Sequence, residues 1–381
     1  MHIAIDAREL AGTPTGVGTY LSQLLRQWDR MPAAGAHRWT LYVPAGGEPR
    51  AKAALETGSP EPDGGSAAVR ASGGVFEWQT LPGRATTWWE QRALAAAIRS
   101  DRPQVLFAPG YTAPLVTAVP VVLTIHDLSF VAHPEWFSAR EGFRRRLLTR
   151  WSARRARAIL TDSDFSRDEI VSRFNVPAAR VHVIRPGVSR PASPPSPDSR
   201  PPVVLFVGSI FNRRRVPDLV RAFARTLPGV PDARLEIVGD NRTHPREDLG
   251  ELARSLGAAE RVGLHSYVTD EELASLYAQA RVFAFLSEYE GFGFTPLEAL
   301  AHRVPIVVLD TVVAREVYGT AALYVRAGDL AGTAVALEQL LTDPTLRREQ
   351  LQQGERLLAA YRWPDAARRT LEAIEQAGAR A

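Results

Sequence analysis

The feature that most constrains this chain is an alternation of short apolar runs with amphipathic stretches, which occurs twice. The runs of the first half are His2–Ala7, Trp39–Val43, Val105–Ala108, Val121–Ile125, Ala158–Thr161 and Val181–Ile184. Those of the second half are Val203–Val207, Leu235–Val238, Val262–Leu264, Val282–Leu286, Ile306–Leu309 and Leu323–Val325. Buried strands that alternate with helices form parallel, doubly wound sheets. The sequence therefore predicts an α/β fold with two Rossmann-like domains.

A proline-rich segment, Arg190–Pro202, separates the two halves. Its composition cannot pack a core, so it predicts a linker between domains at 1–189 and 203–363. Two domains also suit a chain of 381 residues, because single cores rarely grow beyond about 250–300 residues. A second Gly/Pro/Ser-rich stretch, Gly58–Gly74, predicts a mobile loop on the first domain. Ligands bind beyond the carboxyl ends of such strands, so we expect the site in a cleft between the domains.

Composition excludes several classes of protein. The apolar fraction of 45% and the charged fraction of 23% are those of a soluble globular protein. No apolar run is long enough to span a membrane, and Met1–Asp6 does not resemble a signal peptide, so we expect a cytoplasmic protein. The chain has no cysteine, which excludes disulfides and thiol chemistry. The net charge of +4 rests almost wholly on arginine, with Lys52 the sole lysine. This indicates genome composition rather than a nucleic-acid partner.

The most informative motif is Ser287–Leu300, which reads SEYEGFGFTPLEAL. Two carboxylates, those of Glu290 and Glu298, flank a Gly-Phe-Gly loop and a predicted helix start. Thr295 is a suitable N-cap, Pro296 suits the first helical position, and Glu298 would complete a capping box. Backbone N–H groups at a helix start bind anions. Although Glu298 alone would more often be a capping residue, the whole motif predicts a site for a phosphorylated, hydroxyl-rich ligand.

Three further loops carry candidate residues at the ends of predicted strands. The glycines of Gly12–Gly18 let backbone amides approach a phosphate or sugar, although a tight turn explains them equally well. His126 and Asp127 end an all-apolar strand, where a histidine can position a substrate or handle a proton. The cluster Arg213–Arg215 follows another strand, and guanidinium groups bind phosphate bidentately. A solvated basic loop is the alternative for this cluster.

Two sets of residues are of types that bind metals, but neither set predicts a metal site. Asp162–Asp164 spells Asp-x-Asp, but it lies directly before Ser166–Glu169, a Ser-x-x-Glu capping box. We therefore expect helix capping there. The histidines at His133, His182, His244 and His265 do not have paired metal-ligand spacing. The prediction is a site without a metal ion.

The stretch Ala139–Arg157 predicts a basic amphipathic helix. Its arginines are Arg140, Arg144, Arg145, Arg146, Arg150, Arg154, Arg155 and Arg157, beside Phe143, Leu147, Leu148 and Trp151. Such a helix can lie on an anionic membrane surface. A solvated face over the sheet is the more common outcome, so the prediction is at most weak peripheral contact with a membrane.

In their order along the chain, these motifs closely resemble the retaining GT-B glycosyltransferases of family four, whose signature is E-x7-E. The resemblance implies two Rossmann-like domains facing a cleft, with a last helix, about 364–381, that packs on the first domain. It implies transfer of a hexose from a nucleotide sugar to a hydroxyl of a glycan, lipid-linked or small-molecule acceptor, with retention and without a metal. The first domain would bind the acceptor and the second the donor. A sugar phosphorylase of the same fold and a non-catalytic sugar-nucleotide binding protein are the alternatives.

The resemblance also assigns roles in the second domain. Glu290 would contact hydroxyls of the transferred sugar, and Glu298 would bind the ribose. The diphosphate would meet the loop residues Gly208, Phe292, Gly293, Phe294 and Thr295. Arg213 and Arg214 would stabilise charge on the leaving nucleotide, with Arg214 in the place of the family's usual lysine. Arg215 is expected to point into solvent.

In the first domain the resemblance makes Gly16 and Gly18 site residues that face the cleft. It places His126 near the anomeric carbon, with Asp127 orienting the imidazole or meeting the acceptor. The motifs are most similar to those of a mannosyltransferase subgroup, so GDP-mannose is the favoured donor, with UDP- and dTDP-hexoses as alternatives. No separate cofactor is expected.

Overall fold

The computed structural model describes residues 1–12, 15–56, 75–191 and 196–379. The predicted loop Gly58–Gly74 lies outside the described residues. The chain divides into two compact units, one formed by Met1–Gly187 with Tyr361–Ala381 and the other by Val188–Ala360. No helix in the described ranges is both long enough and apolar enough to cross a bilayer.

The first unit is built on a seven-stranded parallel sheet. Its strands are β1 His2–Asp6, β2 Arg38–Pro44, β3 Phe76–Leu81, β4 Val105–Ala108, β5 Val121–Thr124, β6 Ala158–Thr161 and β7 Val181–Val183. The strand order is β3-β2-β1-β4-β5-β6-β7, with Ile3 of β1 between Trp39 and Val105. Except for β3, every strand coincides with a predicted apolar run. The sequence analysis missed β3.

Helices connect the strands of the first unit. They are α1 Gly16–Arg30, α2 Glu48–Glu56, α3 Ala95–Asp101, α4 Ser129–Ala132, α5 Ala139–Arg155 and α6 Asp164–Phe174. The helix α1 has an apolar stripe at Tyr20, Leu21, Leu24 and Leu25, all of which are buried. This 3.6-residue pattern covers one face of the helix and explains why it packs against the unit's core.

The second unit repeats the architecture with six parallel strands. They are β8 Val203–Val207, β9 Arg234–Val238, β10 Val262–His265, β11 Val282–Phe285, β12 Ile306–Leu309 and β13 Ala322–Val325, in the order β10-β9-β8-β11-β12-β13. Its helices are α7 Val216–Thr226, α8 Leu249–Ser255, α9 Asp270–Gln279, α10 Phe294–Ala301, α11 Val312–Tyr318, α12 Leu330–Thr342 and α13 Pro344–Leu358. The predicted α/β fold with two Rossmann-like sheets is confirmed.

The described end of the predicted linker packs on the second unit. Arg200 is 3% exposed, and its guanidinium donates to the carbonyl oxygens of Ala280 at 2.8 Å and His302 at 2.9 Å. Asp198 accepts from Arg347 at 2.6 Å. The proline content of this segment predicted that it would not pack against a domain. Its contacts are made to polar groups that are distant in sequence, and local composition does not reveal such contacts.

The last helix, α14 (Trp363–Ala379), packs on the first unit. Trp28 Nε1 of α1 donates to the carbonyl oxygen of Ala367 at 2.9 Å. A Cβ at Gly187 would lie 2.2 Å from the backbone nitrogen of Trp363, so only glycine fits where the two segments meet. The helix begins one residue before the predicted start.

Candidate functional site

The signature motif forms a strand, a glycine turn and a helix, but the helix starts earlier than predicted. Gly293 is the N-cap residue, with φ of +86° and no side-chain capping bond, and α10 begins at Phe294. The predicted N-cap at Thr295 and its capping box are therefore wrong, because the left-handed turn at Gly293 already directs the chain into the helix. A Cβ at Gly293 would lie 2.2 Å from Tyr318 Oη, which donates to the Gly293 carbonyl oxygen at 2.8 Å.

Glu298 is a half-buried carboxylate with little protein compensation for its charge. Among the described residues its carboxylate has one hydrogen-bond partner, Tyr277 Oη at 3.5 Å. Burial raises the pKa of Glu298, and the bond from Tyr277 lowers it only in part. The Tyr277 ring stacks on His302 with centroids 4.5 Å apart. Glu298 is thus held in place without capping the helix, and it can accept a bond from a ligand hydroxyl.

Glu290 forms an ion pair with Arg214. Arg214 Nε lies 3.1 Å from Glu290 Oε1, and the two side chains are 15% and 16% exposed. Ser287 Oγ donates to the same carboxylate oxygen at 2.9 Å. A charged pair shielded from water in this way fixes both side chains more firmly than a surface pair would. The structure therefore brings together one signature acid and one predicted phosphate-binding arginine.

Gly208 lies at the end of β8, directly against Arg214. Its φ is +139°, and a Cβ there would lie 2.3 Å from Arg214 Nη1. The same nitrogen donates to the Ser209 carbonyl oxygen at 2.9 Å. The Arg213 guanidinium lies 4.9 Å from the centroid of the Phe211 ring. Glycine at position 208 thus gives the guanidinium of Arg214 room to pass along the backbone.

Arg215 does not point into solvent as predicted. Its Nε donates to Asp218 Oδ2 at 2.7 Å, and Nη1 donates to Glu288. Burial lowers the pKa of Arg215, but these carboxylates raise it overall. Arg215 is a structural residue that links the start of α7 to the signature loop, and the sequence could not show this because Glu288 lies far along the chain.

In the first unit, the glycine loop leads into α1, whose N-cap is Thr15. Thr15 Oγ1 accepts from the Gly18 backbone nitrogen at 3.0 Å. A Cβ at Gly18 would lie 2.9 Å from the Glu9 carbonyl oxygen, whereas a Cβ at Gly16 would meet no atom of the described residues within 4 Å, its chain neighbours aside. Thr13 and Pro14 of this loop lie outside the described residues. Packing against Glu9 therefore explains Gly18, while no contact among the described residues requires glycine at position 16.

His126 is held by acceptors at both ring nitrogens. Nδ1 lies 2.7 Å from Asp162 Oδ2, and Nε2 lies 3.0 Å from the Pro109 carbonyl oxygen. A carboxylate and a carbonyl oxygen both accept, so this arrangement favours the doubly protonated, positively charged ring. Burial lowers the pKa of His126, but the carboxylate of Asp162 and the two hydrogen bonds outweigh it and raise the pKa overall. The Tyr20 ring lies edge-on to the imidazole, with centroids 5.0 Å apart.

Asp162, not Asp127, makes the hydrogen bond that orients His126. Asp127 accepts from Tyr111 Oη at 2.9 Å and from the Ser129 backbone nitrogen at 2.8 Å. The sequence analysis missed the role of Asp162 by assigning Asp162–Asp164 to capping alone. The signal that could have found it is that β5 and β6 are neighbouring parallel strands, so residues just after them lie at one edge of the sheet.

Capping at the start of α6 is real, but it comes from a different serine. Ser163 Oγ accepts from the Ser166 backbone nitrogen at 3.1 Å, and the helix begins at Asp164. The predicted capping box starting at Ser166 is wrong, since Ser166 already lies inside the helix. Across residues 1–12, 15–56, 75–191 and 196–379, no cluster of three or more His, Cys, Asp or Glu side chains is arranged to hold a metal ion.

Two known families match consecutive parts of the chain. Residues 14–190 match the family described as Glycosyltransferase Family 4, and residues 192–357 match the family described as Glycosyl transferases group 1. Together the two matches span residues 14–357 apart from residue 191.

Individual proteins agree with these families. The chain is 29% identical to the O-antigen chain mannosyltransferase B of Escherichia coli over 74% of this chain and 77% of that protein. It is 27% identical to a glycogen synthase of Mycobacterium tuberculosis over 72% of this chain and 69% of that protein. Its fold is similar to that of a sucrose-phosphate synthase from Thermosynechococcus elongatus, with a TM-score of 0.74, 19% identity and complete coverage of both chains.

Proposed function

Because the chain belongs to the group 1 glycosyltransferases and moves a sugar from a nucleotide sugar, we propose that it transfers a hexose with retention of configuration and without a metal ion. The observation that carries this proposal is the shielded pair of Arg214 and Glu290 beside the glycine turn of α10. This places a guanidinium, a carboxylate and helix-start amides in one region of the second unit. A sugar diphosphate needs cationic groups for its phosphates and an acceptor for its hydroxyls.

The proposed reaction proceeds on one face of the donor. The acceptor hydroxyl attacks the anomeric carbon from the side on which the nucleoside diphosphate leaves, and the hydroxyl proton passes to that leaving group. Arg214 and Arg213 stabilise the negative charge that develops on the diphosphate, which is a kind of electrostatic stabilisation that often dominates catalysis. The backbone amides of Phe292, Gly293, Phe294 and Thr295 face the phosphates, as the positive end of α10 favours. Such a reaction needs no Lewis acid beyond these groups.

The two signature acids have separate roles in this proposal. Glu290, whose geometry is fixed by Arg214 and Ser287, accepts hydrogen bonds from hydroxyls of the transferred hexose. Glu298, whose carboxylate has only the 3.5 Å contact to Tyr277 among the described residues, accepts bonds from the ribose. Burial without a strong internal partner makes a carboxylate a good acceptor for a ligand hydroxyl, because the bond restores what desolvation removed.

His126 acts as a positioning group rather than a base. An imidazolium whose two N–H groups already donate to Asp162 and Pro109 has no lone pair with which to take a proton from the acceptor. Its fixed positive charge instead holds Asp162 and the Pro109 carbonyl oxygen in place. We propose that the first unit, which contains these residues, binds the acceptor. Gly16, where no described residue would crowd a Cβ, would allow a ligand to approach the start of α1.

For the donor, we propose GDP-mannose. The similarity to a mannosyltransferase over most of both chains supports mannose as the hexose, and a relative that is a glycogen synthase supports glucose as the alternative. The base would bind near Gly239–Asn241 and Ser266–Val268, which follow β9 and β10. Competition among GDP, UDP and dTDP for the purified chain identifies the base. A clear preference for UDP or dTDP would refute GDP-mannose as the donor but would not contradict the proposed transferase activity.

The reaction is tested by the release of nucleoside diphosphate from a panel of nucleotide sugars with and without hydroxyl acceptors. Release that depends on acceptor, and a product whose anomeric configuration matches the donor by NMR, would support the proposal. An inverted product would refute it. Activity that requires inorganic phosphate and a disaccharide would instead indicate a phosphorylase. Full activity after dialysis against a chelator is expected, and its loss would contradict metal independence.

A further inference from the structure

The outward face of α5 exposes large apolar side chains. Phe143 is 63% exposed, and Leu147 and Trp151 are each 44% exposed. Their spacing of four residues aligns them along one side of the helix. The opposite side packs on the unit through Gly142, Thr149, Ser152 and Ala153, which are buried. A helix that was merely solvated would carry polar residues on its outer face, so this stripe requires another explanation.

Arginines alternate with this stripe around the exposed arc of the helix. At 100° per residue, the same arc holds Arg140, Arg144, Arg150, Arg154 and Arg155. The helix contains a single acid, Glu141. Within the ranges that the structure describes, none of these arginines lies within ion-pair distance of a carboxylate, although many arginines elsewhere in the protein do. The face is therefore both apolar and uncompensated in charge.

Neighbouring segments extend the same chemistry at both sides of α5. Arg144 donates to Thr87 Oγ1, next to Trp88, which is 69% exposed and lies beneath the Arg92 guanidinium at 4.7 Å. At the other end, Arg155 lies 5.6 Å from the Trp151 ring centroid and donates to the Leu115 carbonyl oxygen. Val116, which follows Leu115, is 71% exposed. Exposed aromatic and aliphatic groups thus continue from Trp88 across α5 to Val116.

We propose that this surface, formed by α5 with Trp88 and Val116, docks on a bilayer that contains anionic lipid. Lipid phosphates meet the guanidinium groups, which have no carboxylate partner among the described residues, while Trp151, Phe143 and Leu147 enter the boundary between headgroups and acyl chains. Tryptophan and arginine suit this boundary because each combines an apolar body with a polar end. A protein partner of ordinary surface would not offer the dense negative charge that this face matches, and a nucleic acid would not bury its apolar stripe.

The proposal is tested with the full chain and vesicles of phosphatidylcholine, with or without about 30% phosphatidylglycerol. Co-sedimentation is measured at roughly 50 mM and 500 mM salt. We expect binding to the anionic vesicles at low salt, several-fold less at high salt, and little binding to phosphatidylcholine alone. Arg140→Glu with Arg150→Glu should lower the partition coefficient by about tenfold or more, since each basic residue near the surface contributes to binding. Trp151→Ser should also weaken binding.

Matched variants separate the surface from general charge. Arg225→Glu with Arg348→Glu changes the net charge equally, and Leu256→Ser removes a partly exposed apolar side chain in the second unit. Both controls should bind as the parent chain does. Equal losses in controls and α5 variants, equal binding to both vesicle types, or no binding at low salt would each refute the proposal. Displacement by a DNA duplex with no effect of Trp151→Ser would also refute it and would indicate a polyanion site.

Discussion

Asp162 Oδ2 lies 2.7 Å from His126 Nδ1, although the two residues are 36 positions apart in sequence. His126 lies just beyond β5 and Asp162 directly follows β6, the neighbouring strand of the parallel sheet. The second nitrogen of the ring donates to the Pro109 carbonyl oxygen, so the imidazole is fixed at both ends. Burial lowers the pKa of His126, and the Asp162 carboxylate is the largest of the influences that raise it.

Asp162→Asn should lower the pKa of His126. The amide oxygen can still accept from Nδ1, so the geometry is preserved while the negative charge is lost. NMR titration of the imidazole measures the change. Asp168→Asn, an exposed residue of α6 with 72% side-chain accessibility, is the control and should leave the His126 pKa unchanged. An unchanged His126 pKa in Asp162→Asn would show that the carboxylate does not set the charge.

The same pair predicts how stability depends on pH. The folded pKa of His126 is raised above its unfolded value of about 6.5, so the imidazolium contributes stability that is fully present below that value. This contribution is lost as the pH rises through the folded pKa. The free energy of unfolding lost in Asp162→Asn should be about 1.5–3 kcal/mol at acidic pH and smaller at alkaline pH. Urea unfolding at several pH values checks the sign. A loss that grows with pH would contradict the assignment.

Glu298→Gln should weaken nucleotide binding without lowering thermal stability. A hydrogen bond from a ribose hydroxyl to a carboxylate contributes about 1.5–3 kcal/mol, whereas no capping bond is lost because Glu298 caps nothing. Burial raises the pKa of Glu298, so replacing the charge relieves a desolvation cost. Calorimetric titration with nucleoside diphosphates and thermal unfolding separate the two effects. Glu349→Gln on α13 is the control, and a lower melting temperature with intact affinity would refute the binding role.

Glu290→Gln should depress turnover more than nucleotide affinity. The carboxylate of Glu290 accepts hydrogen bonds from Arg214 and Ser287, whereas Glu298 contacts Tyr277. We assign Glu290 to binding the hydroxyls of the transferred sugar. Steady-state kinetics with donor and acceptor, compared with nucleotide affinity from calorimetry, give the two quantities. A larger loss in nucleotide affinity than in turnover would contradict this assignment and would indicate that Glu290, rather than Glu298, binds the ribose.

Arg214→Ala should cost about 10²–10³ in turnover, the scale of losing one charge-stabilising group. Arg214→Lys should keep part of the activity, because a lysine ammonium retains the positive charge. Arg215→Ala should leave turnover within a few-fold and cost about 1 kcal/mol of stability, since its partners are Asp218 and Glu288. Kinetics and urea unfolding on the three variants check this division. Equal mild losses of turnover would mean that the cluster is only a basic loop.

Gly18→Ala should lower stability, whereas Gly16→Ala should lower only turnover. A Cβ at Gly18 would lie 2.9 Å from the Glu9 carbonyl oxygen, and such overpacking costs about 1–3 kcal/mol. A Cβ at Gly16 would meet none of the described residues within 4 Å, so stability should be unchanged or slightly higher. If a ligand approaches Gly16 closely, Gly16→Ala should still lower turnover. Full activity in Gly16→Ala would remove this residue from the site.

Most of the strands were predictable because the central ones, such as β4, β8, β11 and β12, are continuous apolar runs, as sheets buried on both faces require. The strand β3 escaped because Phe76–Leu81 alternates polar and apolar residues at the sheet edge, where only Leu81 is buried. Helix starts were less predictable. Thr295 looked like an N-cap, but the left-handed backbone at Gly293 decides where α10 begins, and sequence reveals backbone angles only indirectly.

Partners of charged residues could not be predicted from local sequence. Arg215 was expected in solvent, yet it bonds to Glu288, 73 positions away. Arg200 was assigned to a linker, yet it is buried against carbonyl oxygens about 80 to 100 positions away. Local composition describes neighbours in the chain, whereas these contacts depend on how distant segments fold. The sequence motifs placed Arg214 and Glu290 in one site, but they did not predict that the two side chains form an ion pair.

The packing of α14 against α1 has a consequence for the order in which the protein is made. Residues Val188–Ala360 leave the ribosome before α14, so the second unit can complete its sheet while the first still lacks a helix. Until then Trp28 has no acceptor from Ala367, and Gly187 has no Trp363 beside it. Domains usually fold from the N-terminus onward during synthesis. In this chain the unit that is begun first is therefore completed last, because its final helix is the last part to be synthesised.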